Sequence, residues 1–300
     1  MRVVSVLPSA TEMVFALGHG PELVGRSAEC DFPVVVRDRP VVMWPRAWDG
    51  DAPSGEIDAR VRVTRSRGES LYHLDVPRLA ELRPDLFLTQ DLCGVCSVTG
   101  PEVETACAAA GVRPQILSLT PRTLEDVWTS VESVGAALGV APGGRWLART
   151  LRARADTGAG SSGRRVAVLE WLDPPILAGL WVPDMIVEAG GIPSAGVSGG
   201  PGVRTSWAEL SRLDPELVIL SPCSFSVERT RRELADESVR RGLHELGAPA
   251  LGMYLADEAY FSRPGPRLAD GVELVRHLVG QEEWSAPMPV EPLLAVGGHA

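Results

Sequence analysis

Short apolar runs bounded by Pro and acid recur along this chain, and one such arrangement occurs twice. Leu82-Arg83-Pro84-Asp85 leads into Leu86-Phe87-Leu88-Thr89 and ends at Cys93. Leu213-Asp214-Pro215-Glu216 leads into Leu217-Val218-Ile219-Leu220 and ends at Cys223. A proline cannot continue a helix, and the residue before it is pushed to extended geometry. Each apolar run has the length of a strand buried on both faces in a parallel sheet. The repeat therefore predicts two α/β lobes, each with a cysteine-tipped loop at a strand's carboxyl end, where open α/β sheets bind ligands.

The rest of the pattern fills in around that repeat. Residues 2–7 read as a first strand. Ser9 reads as a helix cap with Glu12 as its capping-box partner, and Gly18 closes that helix. A second strand ends at Val24-Gly25. Residues 40–75, rich in Pro, Gly and Asp, read as an excursion with little regular structure. Strands over 85–89 and 115–118 flank a helix over 101–110. Leu124, Val127, Trp128, Val131, Val134 and Leu138 keep helical spacing, and a second helix covers about 143–154. Gly158 to Gly163 form a flexible joint. Strands over 165–169 and 217–220, and helices near 183–189, 227–236 and 267–279, make the second lobe. The expected organisation is an N-terminal α/β lobe over 1–120, a connecting helix and joint over 121–160, a C-terminal α/β lobe over 161–284 and a poorly ordered tail over 285–300. The fold class is α/β: two Rossmann-like lobes joined by a long connecting helix, with a ligand cleft between them.

Composition narrows the class. The 300 residues are 45% hydrophobic and 23% charged, the values of a globular protein large enough for two domains. A formal charge of −10 argues against a nucleic-acid partner, which needs a basic face. Every basic side chain other than His is Arg, so Schiff-base and P-loop chemistry are excluded. No apolar stretch approaches membrane-helix length, and no membrane insertion is expected. Met1-Arg2 runs directly into strand-like sequence, too short for a signal-peptide core, so the expected location is cytoplasmic. Reduced cysteines in that compartment read as metal-binding or catalytic before they read as disulfides.

Candidate chemistry clusters on the loops. Cys93-Gly94-Val95-Cys96 is a CxxC, and Cys30 and Cys223 lie on other loops expected to face the same crevice. Four thiolates there would suit tetrahedral zinc or an iron–sulfur cluster; small buried hydrophobes packed under loops is the plainer reading. Cys107, in an Ala-rich helix, reads as core. Glu170-Trp171-Leu172-Asp173-Pro174-Pro175 places two carboxylates and an indole at a strand tip. Trp44, Trp48, Trp171 and Trp181 fall on predicted loops and would give a large planar ligand an aromatic wall. Tyr260 and Arg263 precede the last helix, where the Arg would suit a carboxylate or amide-rich ligand. Among the histidines, His73 is the one placed to contribute. No HExxH occurs, and no GxGxxG follows a predicted strand.

These motifs resemble those of the class III periplasmic-binding-protein family. The resemblance rests on Ser5-Val6-Leu7-Pro8-Ser9-Ala10-Thr11-Glu12, Val24-Gly25-Arg26-Ser27, Cys30-Asp31-Phe32-Pro33 and Pro84-Asp85-Leu86. It covers roughly residues 2–280 and is closest to the cobalamin-binding type. Asp91 to Cys96, Glu170 to Pro175 and Phe261 to Arg267 resemble its leaderless cytosolic branch. That resemblance implies two Rossmann-like lobes on one long helix and a carrier or uptake role for a corrinoid or similar metal chelate, with a transporter or biosynthetic partner unidentified. The branch usually carries His where Leu180 stands here.

Two functions follow as expectations. One is a protein binding a cobalamin-like corrinoid or related chelate, with Ser9, Trp44, Trp171, Trp181, Tyr260 and Arg263 as ligand contacts. The other is a cytosolic enzyme with zinc or an iron–sulfur centre on Cys30, Cys93, Cys96 and Cys223, and with Glu170 or Asp173 as acid or base. A thiol–disulfide switch at Cys93 and Cys96 is a third.

Overall fold

The structure, a computed structural model, describes residues 1–46, 51–92, 98–156, 158, 160–280 and 290–293. Contacts divide the chain into two compact units. Unit 1 comprises Met1–Ala52, Ile57–Pro121 and Asp126–Leu151; unit 2 comprises Pro53–Glu56, Arg122–Glu125 and Arg152–Ala300. Each is built on its own sheet, as the repeat predicts.

The elements up to Ala155 are β1 (Val3–Ser5), α1 (Pro8–Ala16), β2 (Leu23–Ser27), β3 (Val41–Pro45), α2 (Ser54–Ser66), β4 (Tyr72–Leu74), α3 (Val76–Leu82), β5 (Leu86–Gln90), α4 (Gly100–Ala109), β6 (Gln115–Leu119), α5 (Leu124–Ala137) and α6 (Ala141–Ala155); all belong to unit 1 except Ser54–Glu56 of α2, Leu124–Glu125 of α5 and Arg152–Ala155 of α6, which belong to unit 2. The strand order of unit 1 is β4-β3-β2-β1-β5-β6. All pairs are parallel except β3 with β4, so β1, β2, β3, β5 and β6 end on one edge. The β1 and β5 side chains are fully buried, as strands covered on both faces require.

Two differences from the sequence reading have local causes. Residues 40–75 hold β3, α2 and β4 rather than an irregular excursion. Ile57 and Val61 give α2 a buried stripe at helical spacing, but the surrounding Arg and Asp residues dilute it. Ser9 does not cap α1: Leu7 is the extended N-cap, Pro8 takes the first turn, and no side chain caps the end. The two helices read over 124–138 and about 143–154 are present as α5 and α6. They meet where Gly135 and Gly144 approach so closely that a Cβ on Gly135 would lie 2.7 Å from the Gly144 Cα.

Unit 2 runs β7 (Arg165–Leu172), β8 (Pro175–Leu177), α7 (Val182–Glu188), β9 (Ile192–Pro193), β10 (Val203–Arg204), α8 (Trp207–Arg212), β11 (Leu217–Leu220), α9 (Val227–Glu233), α10 (Glu237–Leu246), β12 (Met253–Ala256), α11 (Leu268–Leu278) and β13 (Val290–Pro292). The sheet order is β10-β8-β7-β11-β12-β13, with β9 also on β7. Strand β11 pairs in parallel with β7 and β12. Strand β13 closes the edge antiparallel to β12, so part of the stretch read as an unordered tail is sheet. Ala167, Leu169, Val218, Leu220 and Leu255 pack with Leu210, Val239 and Leu243 into the unit's core.

The repeated motif forms the same joint in both units. Helix α3 ends at Arg83 in left-handed geometry (φ 42°), and the turn after α8 places Asp214 there (φ 49°). The acid after each Pro then clamps the amino end of the central strand. Arg2 N donates to Asp85 Oδ2 at 2.7 Å, and Arg165 N donates to Glu216 Oε2 at 3.0 Å. The guanidinium of each strand-opening Arg donates back, Arg2 to the Leu82 carbonyl and Arg165 to the Asp214 carbonyl.

Candidate functional site

The richest chemistry lies at the carboxyl ends of β7, β11 and β12 in unit 2. Strand β7 outruns its neighbours and turns into β8, which lifts Glu170, Trp171 and Asp173 to the sheet's rim. The Trp171 ring lies against Phe225 at 5.4 Å between centroids, tilted 51°. The Arg229 guanidinium sits 4.2 Å from the centre of the Phe225 ring, a cation–π geometry. Glu233 fixes that Arg through a 2.8 Å bond one helical turn on, both side chains being buried. The indole N–H of Trp171 is buried without an acceptor among the described residues. The platform is therefore rigid, and it carries one unspent donor.

Around it stand the carboxylates. Glu170 Oε2 is 3.4 Å from the Gly179 N–H, and its backbone carbonyl accepts from Cys223 N at 3.0 Å. Gly202 lies so near Glu170 Oε1 that any side chain there would collide. Asp173 accepts from the Ser238 hydroxyl at 2.7 Å. Leu180, between the two rim segments, is left-handed (φ 54°) and zipped to Gly199 and Gly200 by two backbone bonds.

Arg263 and Glu258 form a buried pair at the end of β12. The guanidinium donates from Nε at 2.8 Å and from Nη2 at 2.6 Å to Glu258 Oε1, while Ser224 N donates to Oε2 at 2.6 Å. Burial pushes the Glu258 carboxyl up from its ordinary range, against the pull of Arg263 and the Ser224 N–H. Arg263 is thus already neutralised by a protein carboxylate. Trp181, expected on a loop, opens α7 and is 4% exposed with its N–H spent on the Phe261 carbonyl at 2.7 Å. Tyr260 is half-buried, with the Arg267 guanidinium 6.0 Å from its ring centre.

In unit 1 the parallel strands end at Ser5, Ser27, Pro45, Gln90 and Leu119. Here Cys30 is fully buried, its sulfur 3.2 Å from Thr11 Oγ1 and 3.8 Å from the Ser5 carbonyl. Thr11 Oγ1 also reaches Ser5 Oγ at 2.9 Å, so Cys30 closes a small polar knot under α1. Ser9 is 3% exposed within that helix. The Arg26 guanidinium bonds to the carbonyls of Ser27, Cys30, Arg37 and Arg39 and laces the loop that follows β2. Trp44 lies on β3, not on a loop, and is 37% exposed. It stacks on its cross-strand neighbour His73 at 6.2 Å, and Arg46 Nη2 is 3.2 Å from His73 Nδ1.

Cys107 is core, as read; burial pushes its thiol up to about 11. Cys93, Cys96 and Trp48 lie outside the described residues. Among the described residues no three His, Cys, Asp or Glu side chains gather as a metal site would need, and no helix is long and apolar enough to cross a membrane.

Sequence reasoning missed Phe225, Arg229, Glu233 and Glu258. The Arg229–Glu233 spacing of four was a visible helix pair. Nothing local announced that Phe225 would meet Trp171 from another strand end.

No family model and no curated protein sequence matches this chain. Solved structures do. The periplasmic heme-binding protein from Pseudomonas aeruginosa superposes with a TM-score of 0.71 at 20% identity, covering 99% of both chains. The periplasmic heme-binding protein RhuT from Roseiflexus sp. RS-1 gives 0.64 at 21%, over 93% of this chain and 97% of that one. The periplasmic vitamin B12 binding protein BtuF of Vibrio cholerae gives 0.60 at 18%, over 93% and 96%. The chain has the two-lobe mixed α/β fold of class III periplasmic binding proteins.

Proposed function

We propose that this protein binds a planar metal chelate at the strand-end rim of unit 2, and that the chelate is a corrinoid. The observation that carries the reading is the braced indole: Trp171 on Phe225, Phe225 under Arg229, Arg229 on Glu233. Such a stack offers a fixed aromatic face to a large flat ligand at low ordering cost. Solved neighbours of the same fold bind heme and vitamin B12, which supports the chelate class.

Charge argues for the corrinoid over haem. Arg229 and Arg263 are each held by a buried carboxylate, and Glu170 and Asp173 add negative charge at the rim. A dianionic haem edge would meet repulsion there, since a buried anion needs a free cation or several donors. A corrinoid rimmed with amides would donate to Glu170 and Asp173 and accept from the Trp171 N–H.

Absorbance titration with dicyanocobinamide, cyanocobalamin and haemin tests this. Saturable binding of a corrinoid is expected, weakened at least about tenfold by Trp171→Ala, the loss of one buried aromatic contact. No saturation by either corrinoid overturns the reading. A haem reading would draw instead on Trp44, Arg46 and His73 of unit 1, where a ring nitrogen, an indole and a guanidinium meet. It would show as haemin binding whose spectrum changes in His73→Ala.

A further inference from the structure

The first turn of α2 lies against the same unit 2 rim, and its contacts pull in opposite directions. Ser54 N donates to Glu233 Oε1 at 2.6 Å, so one carboxylate serves both this turn and Arg229. Asp173 packs so closely on Gly55 that a Cβ there would lie 2.6 Å from Asp173 Oδ2. Two carboxylates at a helix amino end are favourable, because they meet unpaired N–H groups and the positive end of the dipole. Against this, the Ser54 side chain is completely buried and its hydroxyl has no partner among the described residues. A hydroxyl taken out of water without a hydrogen bond opposes the contact that buries it. The attraction and the penalty fall on the same residue.

We infer that residues 53–56 form a strap within unit 2, clamped on the rim by Glu233 and loosened by the Ser54 hydroxyl, poised to lift from Asp173. Its role as a cover for ligand rests on the reading of that rim as the binding face. The strap itself does not. Ser54 is held by Glu233 Oε1 and Arg229 by Oε2, so lifting leaves the bond that braces the aromatic platform in place.

The test is amide hydrogen exchange, read by mass spectrometry over peptides spanning 51–61 in the whole protein, for wild type, Glu233→Gln and Ser54→Ala. Glu233→Gln is expected to speed exchange at residues 54–56 about tenfold, the loss of a charge-assisted acceptor. Ser54→Ala is expected to slow it, because the unpaired hydroxyl is gone. A merely structural first turn would exchange faster in both variants. Shifts of the same sign, or no shift in either, overturn the strap. Stopped-flow mixing with dicyanocobinamide adds the second arm: faster association in Glu233→Gln and slower in Ser54→Ala are expected if the strap covers the ligand face, and equal rates overturn the cover while leaving the strap. Absence of dicyanocobinamide binding in all three proteins would count against the corrinoid reading, and exchange alone would then decide the strap.

Discussion

The two units share a joint and differ in what stands at the other end of the strand it clamps. In unit 1, β1 stops after three residues and its end is buried under α1 in the knot of Ser5, Thr11 and Cys30. In unit 2, β7 runs eight residues and delivers Glu170, Trp171 and Asp173 to the rim. Five more residues of strand separate a structural end from a chemical one. The buried guanidinium groups differ in the same sense. Arg26 spends itself on backbone carbonyls and fixes a loop; Arg263 is tied to a carboxylate whose ionisation burial opposes. Loop-fixing by carbonyls involves no titrating acceptor, whereas a carboxylate pair has one.

Breaking the two arginines should separate the units most strongly. Arg263→Met is expected to cost about 3–5 kcal/mol in denaturant melts, the usual penalty for leaving one buried charge without its partner. Adding Glu258→Gln should recover most of that loss, since replacing both members of a buried pair is often neutral. Arg26→Met should cost less, about 1–3 kcal/mol, from carbonyls left short of donors. Equal losses in both single variants would abolish the distinction.

Next come the helices that feed the joint. Asp75 caps α3 by accepting from Arg78 N at 2.9 Å, and Ser206 caps α8 by accepting from Glu209 N at 3.2 Å in a full capping box. Asp75→Ala and Ser206→Ala are each expected to cost about 1 kcal/mol by the same melts. A loss in only one would mean that the two joints are alike in geometry but not in the support they draw.

The smallest effect concerns the acid limb. Backbone and side-chain bonds from Arg165 and Arg164 hold the Glu216 carboxyl below its ordinary range. A carboxyl lowered on folding contributes stability above its unfolded pKa of about 4.3 and loses it as pH falls through the folded value. Glu216→Gln should therefore lower stability at pH 7, where that contribution is fully present, and bring the variant level with wild type as pH falls below about 4, flattening the acid limb. An unchanged acid limb in a pH series of melts would show that the clamp is geometric only.

Local pattern made the joint legible: Pro and acid after a helix, then a short apolar run, is a statement about neighbours in sequence. It also located β11 to the residue. Helix α2 was hidden because its buried stripe is narrow and its exposed faces are crowded with arginines, and β13 because three residues with a Pro carry little strand signal. The site was half legible. Trp171, Asp173 and Glu170 were visible as a strand tip. Their supports were not, since Glu258 meets Ser224 across 34 residues and Glu233 meets Ser54 across 179. Trp181 shows the reverse failure, an indole that composition offered as a platform and packing used as core.

The clamps at Arg2 and Arg165 hold each central strand by its amino end, apart from the contacts that its carboxyl end makes. A strand fixed in that way can be lengthened, shortened or re-tipped without disturbing the joint that registers it. For an engineer, the hairpin from Glu170 to Ala178 is then a cassette. Grafting a new tip there changes what the sheet displays while the chassis keeps its alignment, and the three-residue β1 marks how short such a cassette can become.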